Sequence, residues 1–302
     1  MVDIQHTLTP LQKLDSDQLN RAGVTLWVKR LDLVHPLVSG NKWYKLKYNL
    51  LAAKEQGATS ILSFGGAYSN HIHALAAACQ MLGFASIGVI RGEPHTPLNN
   101  TLAFAQECGM QLHYLNRADY RLKHTQLIQQ QLKAEYGNPY IVPEGGSNAL
   151  ALKGVAELIA ELGDDYDRLC CACGSGGTLA GLIGGLAGRK RLEGFAALKG
   201  AGFLSTDVQR LLAEGAYVDP GNWHINLDYH FGGFAKTTPQ LLAFIQQFEA
   251  EHGIPLEPLY TGKLFYGLFE RIAAGAYPPG TRIIALHSGG LQGRDTMMPF
   301  LR

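Results

Sequence analysis

The sequence predicts an α/β protein built on open, mostly parallel sheets with helices on both faces. Three observations carry this. From Ser60 onward, short apolar runs ending in glycine alternate with longer amphipathic stretches, the pattern of parallel strands joined by crossover helices. Glycine turns at Gly65-Gly66, Gly145-Gly146, Gly174 to Gly177 and Gly289-Gly290 each follow an apolar run, and in open parallel sheets such strand ends surround the ligand. At 302 residues the chain exceeds the usual single-domain size, so one large or two moderate domains with well-buried cores are expected.

In order along the chain, Gly40-Asn41 opens a helix that carries Lys42 in its first turn. Apolar Ile61 to Phe64 reads as a strand, and Ser69-Asn70 as the cap of a helix over His71 to Leu82. Strands at Ser86 to Ile90, Gln111 to Leu115 and Tyr140 to Val142 alternate with helices at Leu98 to Cys108 and Leu122 to Ala134. A helix over Leu150 to Leu162 leads to a strand at Leu169 to Cys173, then a helix at Leu179 to Leu186. Strands at Phe195 to Lys199 and Arg282 to Leu286 complete the reading. No internal repeat or low-complexity linker marks a domain boundary.

Composition removes several classes. Hydrophobic residues are 46% and charged residues 17%, and no apolar run reaches the roughly 18 to 20 residues that cross a bilayer. The net charge is +1 and the basic residues are scattered apart from Arg189-Lys190-Arg191, so neither a membrane nor a nucleic acid is an expected partner. Met1 to Thr9 lacks the basic and then apolar order of a signal peptide, which makes the cytoplasm the expected compartment. Of the five cysteines, Cys170 and Cys173 form a CxxC without a second pair, better explained by small apolar residues in a buried strand than by zinc. His71 and His73 fall on different sides of one helix, and no metal site is read.

Two loops have the composition of anion sites. In Cys171-Ala-Cys-Gly-Ser-Gly-Gly-Thr178 a strand runs through glycines into a helix, so that consecutive amides and the helix N-terminus converge on an anion such as a phosphate monoester. The dinucleotide fingerprint fails because Leu179 occupies its third glycine position, and no lysine follows as a Walker A loop demands. Phe64-Gly-Gly-Ala-Tyr-Ser-Asn70 is again a strand end opening a helix; Ser69 and Asn70 there either cap the helix or receive a substrate carboxylate.

The segment Ser39-Gly-Asn-Lys-Trp-Tyr-Lys-Leu-Lys47 resembles the GGNKxRKLE motif of the pyridoxal 5'-phosphate (PLP) enzymes comprising 1-aminocyclopropane-1-carboxylate (ACC) deaminases and D-cysteine desulfhydrases. Further matches follow in order at Gly65 to Asn70, Pro143 to Ala149, Gly174 to Thr178, Leu259 to Lys263 and His287 to Gly290. The resemblance implies the two-domain tryptophan-synthase-β-like fold: residues 1–44 and 143–302 as the large PLP-binding domain, 45–142 as a smaller inserted domain, the cofactor between them, and a homodimer. It also implies that Lys42 carries PLP as a Schiff base, that Asn70 meets the ring oxygen, and that Gly174, Ser175, Gly176, Gly177 and Thr178 hold the phosphate. Ser69 would face the substrate carboxylate, and Tyr260 would move a proton or stabilise the leaving group. Spacing alone leaves Lys45 as a rival imine lysine; the motif selects Lys42.

An imine lysine needs an unprotonated amine, and a place at a helix N-terminus in an apolar cleft lowers its pKa by dipole and desolvation. Thr261 and Ser288 are implied near the pyridine nitrogen. ACC deaminases resemble each other in having glutamate and leucine there, whereas the desulfhydrases carry hydroxyls. A carboxylate keeps that nitrogen protonated for opening an unactivated ring, which a hydroxyl does less well, so β-elimination from a small amino acid, with release of sulfide, pyruvate and ammonium, is the favoured activity. The chain departs from the motifs at Ser39, Tyr44 and Tyr68, and Phe234 stands where the family has another tyrosine. ACC deamination, β-replacement and a PLP or amino-acid binding protein without turnover are the rival readings.

Overall fold

The computed structural model describes residues 7–294, so most of the N-terminal segment read from Met1 to Thr9 lies outside the described residues. The chain begins with β1 (Leu11–Lys13), α1 (Asp17–Ala22), β2 (Thr25–Lys29) and α2 (Asn41–Glu55). There follow β3 (Ser60–Gly65), α3 (Asn70–Leu82), β4 (Ala85–Arg91), α4 (Asn100–Glu107), β5 (Met110–Leu115), α5 (Arg117–Arg121), α6 (Gln126–Glu135) and β6 (Tyr140–Val142). The remainder is α7 (Ala149–Glu157), β7 (Arg168–Cys173), α8 (Gly177–Leu186), β8 (Arg191–Ala196), α9 (Phe203–Glu214), β9 (Trp223–Asn226), α10 (Pro239–His252), α11 (Thr261–Ala273) and β10 (Arg282–Leu286).

Two sheets result. One has the order β1-β2-β10-β7-β8-β9, parallel except for β1 against β2; the other is β5-β4-β3-β6, parallel throughout. Helices cover both faces of each, which is why β3, β4 and β7 are almost continuously buried instead of alternating. The α/β class read from the sequence is the class observed. Helix starts follow the expected chemistry: Ser69, Asn99, Thr125, Asn148 and Thr238 each accept a hydrogen bond from the amide three residues on.

Some boundaries differ from the sequence reading. The strand expected over Phe195 to Lys199 lies earlier, at Arg191–Ala196, because its central Glu193 is buried and satisfied by Arg168 at 2.9 Å and the Tyr277 hydroxyl at 2.7 Å. A charged residue inside a strand hides the apolar run. The helix expected over Leu122 to Ala134 starts later, as α6 at Gln126–Glu135, because Thr125 caps it, and the short α5 that precedes it at Arg117–Arg121 was not expected. Along β7, Cys171 and Cys173 face one core and Cys170 and Ala172 the other. The CxxC pair therefore points to opposite faces of the sheet and cannot converge on a metal. Among the described residues no helix is long and apolar enough to cross a membrane.

In each sheet the crossover direction reverses between two neighbouring strands, β3 and β6 in one and β10 and β7 in the other. The loops leaving the C-terminal ends of those four strands are the four glycine turns, and together they wall one cleft.

Candidate active site

The cleft has a volume of about 430 Å3 and is lined, among others, by Lys42, Lys45, Ser69, Asn70, His71, Gly174 to Thr178, Phe234, Tyr260 and Ser288. Its floor is set by the entry to α2. Gly40 sits at φ 69°, ψ −149°, and a β-carbon there would lie 1.9 Å from the Ser288 carbonyl oxygen. That contact joins α2 to the turn after β10. Asn41, which the sequence reading did not single out, links three parts of the site: its amide donates to the Ser288 carbonyl at 3.3 Å, its Nδ2 to Thr178 Oγ1 at 2.7 Å, and its Oδ1 accepts from Lys42 Nζ at 2.6 Å.

Burial pulls the Lys42 amine down to about 8, with the Glu257 charge working the other way. Lys45, one turn on, is 2% exposed; it donates to the Gly145 carbonyl and to Ser147 Oγ at 2.8 Å. Burial and then the Lys42 charge hold its amine well below the usual lysine range. Among the described residues neither amine has a carboxylate partner within ion-pair distance. Lys45 is thus a wall of the cleft and not the solvated helix residue that spacing also allowed. Tyr44, a departure from the motif, faces away and donates to Glu161 at 2.7 Å.

The loop after β7 forms the cradle. Gly176 is left-handed at φ 74° and leads into the ten residues of α8. A β-carbon on Gly177 would meet Ser147 Oγ at 2.4 Å and Lys45 Nζ at 3.0 Å, so only glycine leaves this side of the cleft open. Ser175 Oγ is 2.7 Å from Ser147 Oγ. Amides, a helix N-terminus and a buried amine converge here, which is the chemistry of a phosphate site.

Opposite, Ser69 both caps α3, accepting from the Ile72 amide at 3.3 Å, and lines the cleft. Asn70 Oδ1 accepts from Gln292 at 2.7 Å while its Nδ2 packs on Gly290. His71 Nε2 lies 2.8 Å from Ser63 Oγ, and that hydroxyl donates its proton to the Val142 carbonyl at 2.8 Å. His71 must therefore donate through Nε2, leaving Nδ1 a buried acceptor without a partner among the described residues. Burial and the charges of Lys45 and Lys42 keep this imidazole neutral. His73 instead stacks on Phe104, 4.0 Å between ring centres, so the two histidines share no ligand. No group of three His, Cys, Asp or Glu able to hold a metal occurs among the described residues.

Tyr260 caps α11 and reaches the cleft beside Gly174; burial, then Glu257 and Glu144, raise its phenol pKa, so it stays protonated. Phe234 stands 5.9 Å from it between ring centres. Ser288 lines the cleft, but Thr261 does not. Thr261 is fully buried and its hydroxyl donates to Glu257 Oε1 at 3.0 Å. Glu257, also missed from the sequence, accepts the amides of Leu259 at 2.6 Å, Tyr260 at 3.0 Å and Thr261 at 2.6 Å. An acid shortly before an amphipathic helix was the available signal.

The sequence profile of the family described as "Pyridoxal-phosphate dependent enzyme" matches residues 2–289. A protein of Pyrococcus furiosus named putative 1-aminocyclopropane-1-carboxylate deaminase is 31% identical over 97% of this chain and 94% of its own. The mitochondrial bifunctional D-cysteine desulfhydrase/1-aminocyclopropane-1-carboxylate deaminase of Arabidopsis thaliana is 29% identical over 96% of this chain and 78% of its own. A crystal structure titled as an ACC deaminase homologue superimposes with a TM-score of 0.84 at 29% identity, covering 99% of this chain and 95% of that one. The residues of the cleft fit a phosphorylated aldehyde. The cradle and Lys45 supply what a phosphate needs, and Lys42 offers an amine whose proton is easily lost.

Proposed function

The chain belongs to the pyridoxal-phosphate dependent enzymes, in the family of ACC deaminases and D-cysteine desulfhydrases, and on that premise we propose that it is a D-cysteine desulfhydrase. One observation carries the choice within the family. The carboxylate nearest Tyr260, Glu257, is taken up by three backbone amides and Thr261, and Ser288 is among the residues that line the cleft. The two carboxylates that do line the cleft, Glu144 and Asp207, are paired with Lys123 at 3.1 Å and Arg210 at 3.6 Å, and a site whose carboxylates are all engaged suits elimination of a good leaving group better than opening of an unactivated ring.

Bound PLP supplies an electron sink that acidifies the bond to the substrate's α-hydrogen. In the proposed arrangement Lys42 holds the cofactor, and its amine, poorly stabilised as an ammonium, accepts the α-proton. Gly174 to Thr178 hold the phosphate, with Lys45 and Ser147 as hydrogen-bond donors beside it. Asn70 and Ser288 flank the ring, Thr261 supports them from behind through Glu257, and Ser69 with the amides of α3 receives the substrate carboxylate. Tyr260, held protonated, gives its hydroxyl proton to the departing sulfur. The C–S bond breaks, the sulfur leaves with that proton as hydrogen sulfide, the α-proton taken by Lys42 makes good the one Tyr260 lost, and water converts the released three-carbon enamine to pyruvate and ammonium. Residues 1–44 with 143–302 act as one unit and 45–142 as the other, the first contributing three of the cleft's glycine loops and the second the Gly65-Gly66 loop.

Sulfide and keto-acid release from D-cysteine, L-cysteine and ACC, assayed side by side, tests the assignment. Sulfide from D-cysteine with little from L-cysteine is expected; 2-oxobutanoate from ACC at a comparable rate would refute the argument from Glu257 and Ser288. The Lys42 amine sets a second expectation. Below about pH 8 it holds its proton and above that it is free, so the rate at which stripped protein takes up PLP should rise with pH and level off above about 8. A flat rate across that range would remove Lys42 as the reacting amine.

A further inference from the structure

The first turn of α11 does more than present Tyr260. Lys263, two residues beyond Thr261, is 1% exposed, and its Nζ donates to the Gly233 carbonyl at 2.8 Å and the Ala197 carbonyl at 3.2 Å. It has no carboxylate within ion-pair distance among the described residues. A buried amine resting on two neutral carbonyls is a poor way to gain stability, since an apolar side chain of the same length would avoid the desolvation cost. Its placement therefore asks for another explanation.

The segment it grips is strained. Phe231, Gly232, Gly233 and Ala235 all lie at positive φ, at 51°, 92°, 122° and 56°, and two of these are not glycine. Such conformations persist only where the surroundings hold them. The segment's own bonds are few: the Gly233 amide to the His230 carbonyl, the Gly232 amide to His230 Nδ1, and the Lys236 amide to the Gly233 carbonyl. Between Gly233 and Ala235 sits Phe234, whose ring lines the cleft against Tyr260.

We propose that Lys263 is a positioning residue that pins the 231–235 turn, holds Phe234 against Tyr260, and so makes the aromatic face of Phe234 the surface that selects the substrate's side chain. An uncharged, sulfur-bearing side chain suits such a face. Burial draws the Lys263 amine down to about 8 against the opposing pull of Glu257, and protonated or not it keeps the two N–H donors the carbonyls need. This rests on the functional reading above only for the identity of the substrate.

The test is a double-mutant cycle with Lys263→Met, Phe234→Ala and the pair, read as KM and kcat for the substrate and as amide hydrogen exchange over residues 229–236. Lys263→Met should leave the cofactor's absorbance unchanged, raise KM about tenfold with a smaller change in kcat, and speed exchange in that segment. Added to Phe234→Ala it should cost nothing further. Additive losses, or exchange unchanged in 229–236, would overturn the proposal. Should Lys263→Met not fold, Lys263→Gln carries the same comparison, its amide donors restoring part of the loss. If the wild type releases product from no amino acid offered, the desulfhydrase reading fails while the exchange result still decides the role of Lys263.

Discussion

Lys42→Ala should abolish turnover, lowering kcat/KM by at least about a thousandfold, because it removes the amine that in the proposed mechanism both holds the cofactor and takes the α-proton. The neighbouring amine cannot stand in: Lys45 Nζ is committed to Gly145 and Ser147 on the cradle side. The fold should survive, since α2 is anchored by Trp43, Tyr44, Leu46 and Leu50, all buried on other faces. The visible absorbance of lysine-bound cofactor should vanish while far-ultraviolet circular dichroism stays native. Normal turnover by this variant would eliminate the mechanism, and loss of turnover confined to Lys45→Ala would transfer the role to Lys45.

Gly40→Ala is expected to be the most damaging single methyl group in the protein. At φ 69°, ψ −149° the backbone lies in a region open in practice to glycine alone, and the added carbon would lie 1.9 Å from a backbone oxygen that cannot rotate away. Strain and displacement together should cost about 3 kcal/mol or more, measurable as a shift of the denaturant midpoint. PLP should also be lost more readily, since Asn41 and Lys42 follow directly. Gly57→Ala is the control: its φ is 68°, but nothing lies within 4 Å of the added carbon. If the two variants unfold alike, close packing of Gly40 on Ser288 is not what makes the glycine necessary.

How far the sequence could be read depended on how local each feature is. A strand end, a glycine turn and a capped helix are written within about ten residues, and so β3 with α3 and β7 with α8 were legible nearly to their boundaries. Two strands that escaped or were misplaced, β2 and β8, carry buried charge. Lys29 ends β2 at 1% exposure, bonded to the Thr9 carbonyl at 2.7 Å and to Glu161 at 2.8 Å, and Glu193 interrupts β8. The partner that makes such a residue tolerable lies far along the chain, and no pattern around the residue announces it.

The same limit divides the site. Lys42, Ser69, Asn70, Gly174 to Gly177, Tyr260 and Ser288 sit in local motifs and do line one cleft. Lys45 became part of it only through Gly145 and Ser147, about a hundred positions away. Asn41 looked like a helix opener until Thr178 was seen against it. Thr261 shows the converse: its motif marks it as part of the site, yet the fold turns its hydroxyl toward Glu257.

Two cysteines of β7 have a chemical consequence under the proposed sulfide-releasing activity. Cys170 and Cys171 are fully buried, and their surroundings hold both well above the usual thiol pKa, burial leading for Cys170 and the bond with Cys173 for Cys171. Attack on sulfur, exchange into disulfides and capture of soft metals all require the thiolate. Cys170 and Cys171, sealed in the sheet behind the cleft and held as thiols, are therefore poor partners for disulfide exchange and soft-metal capture.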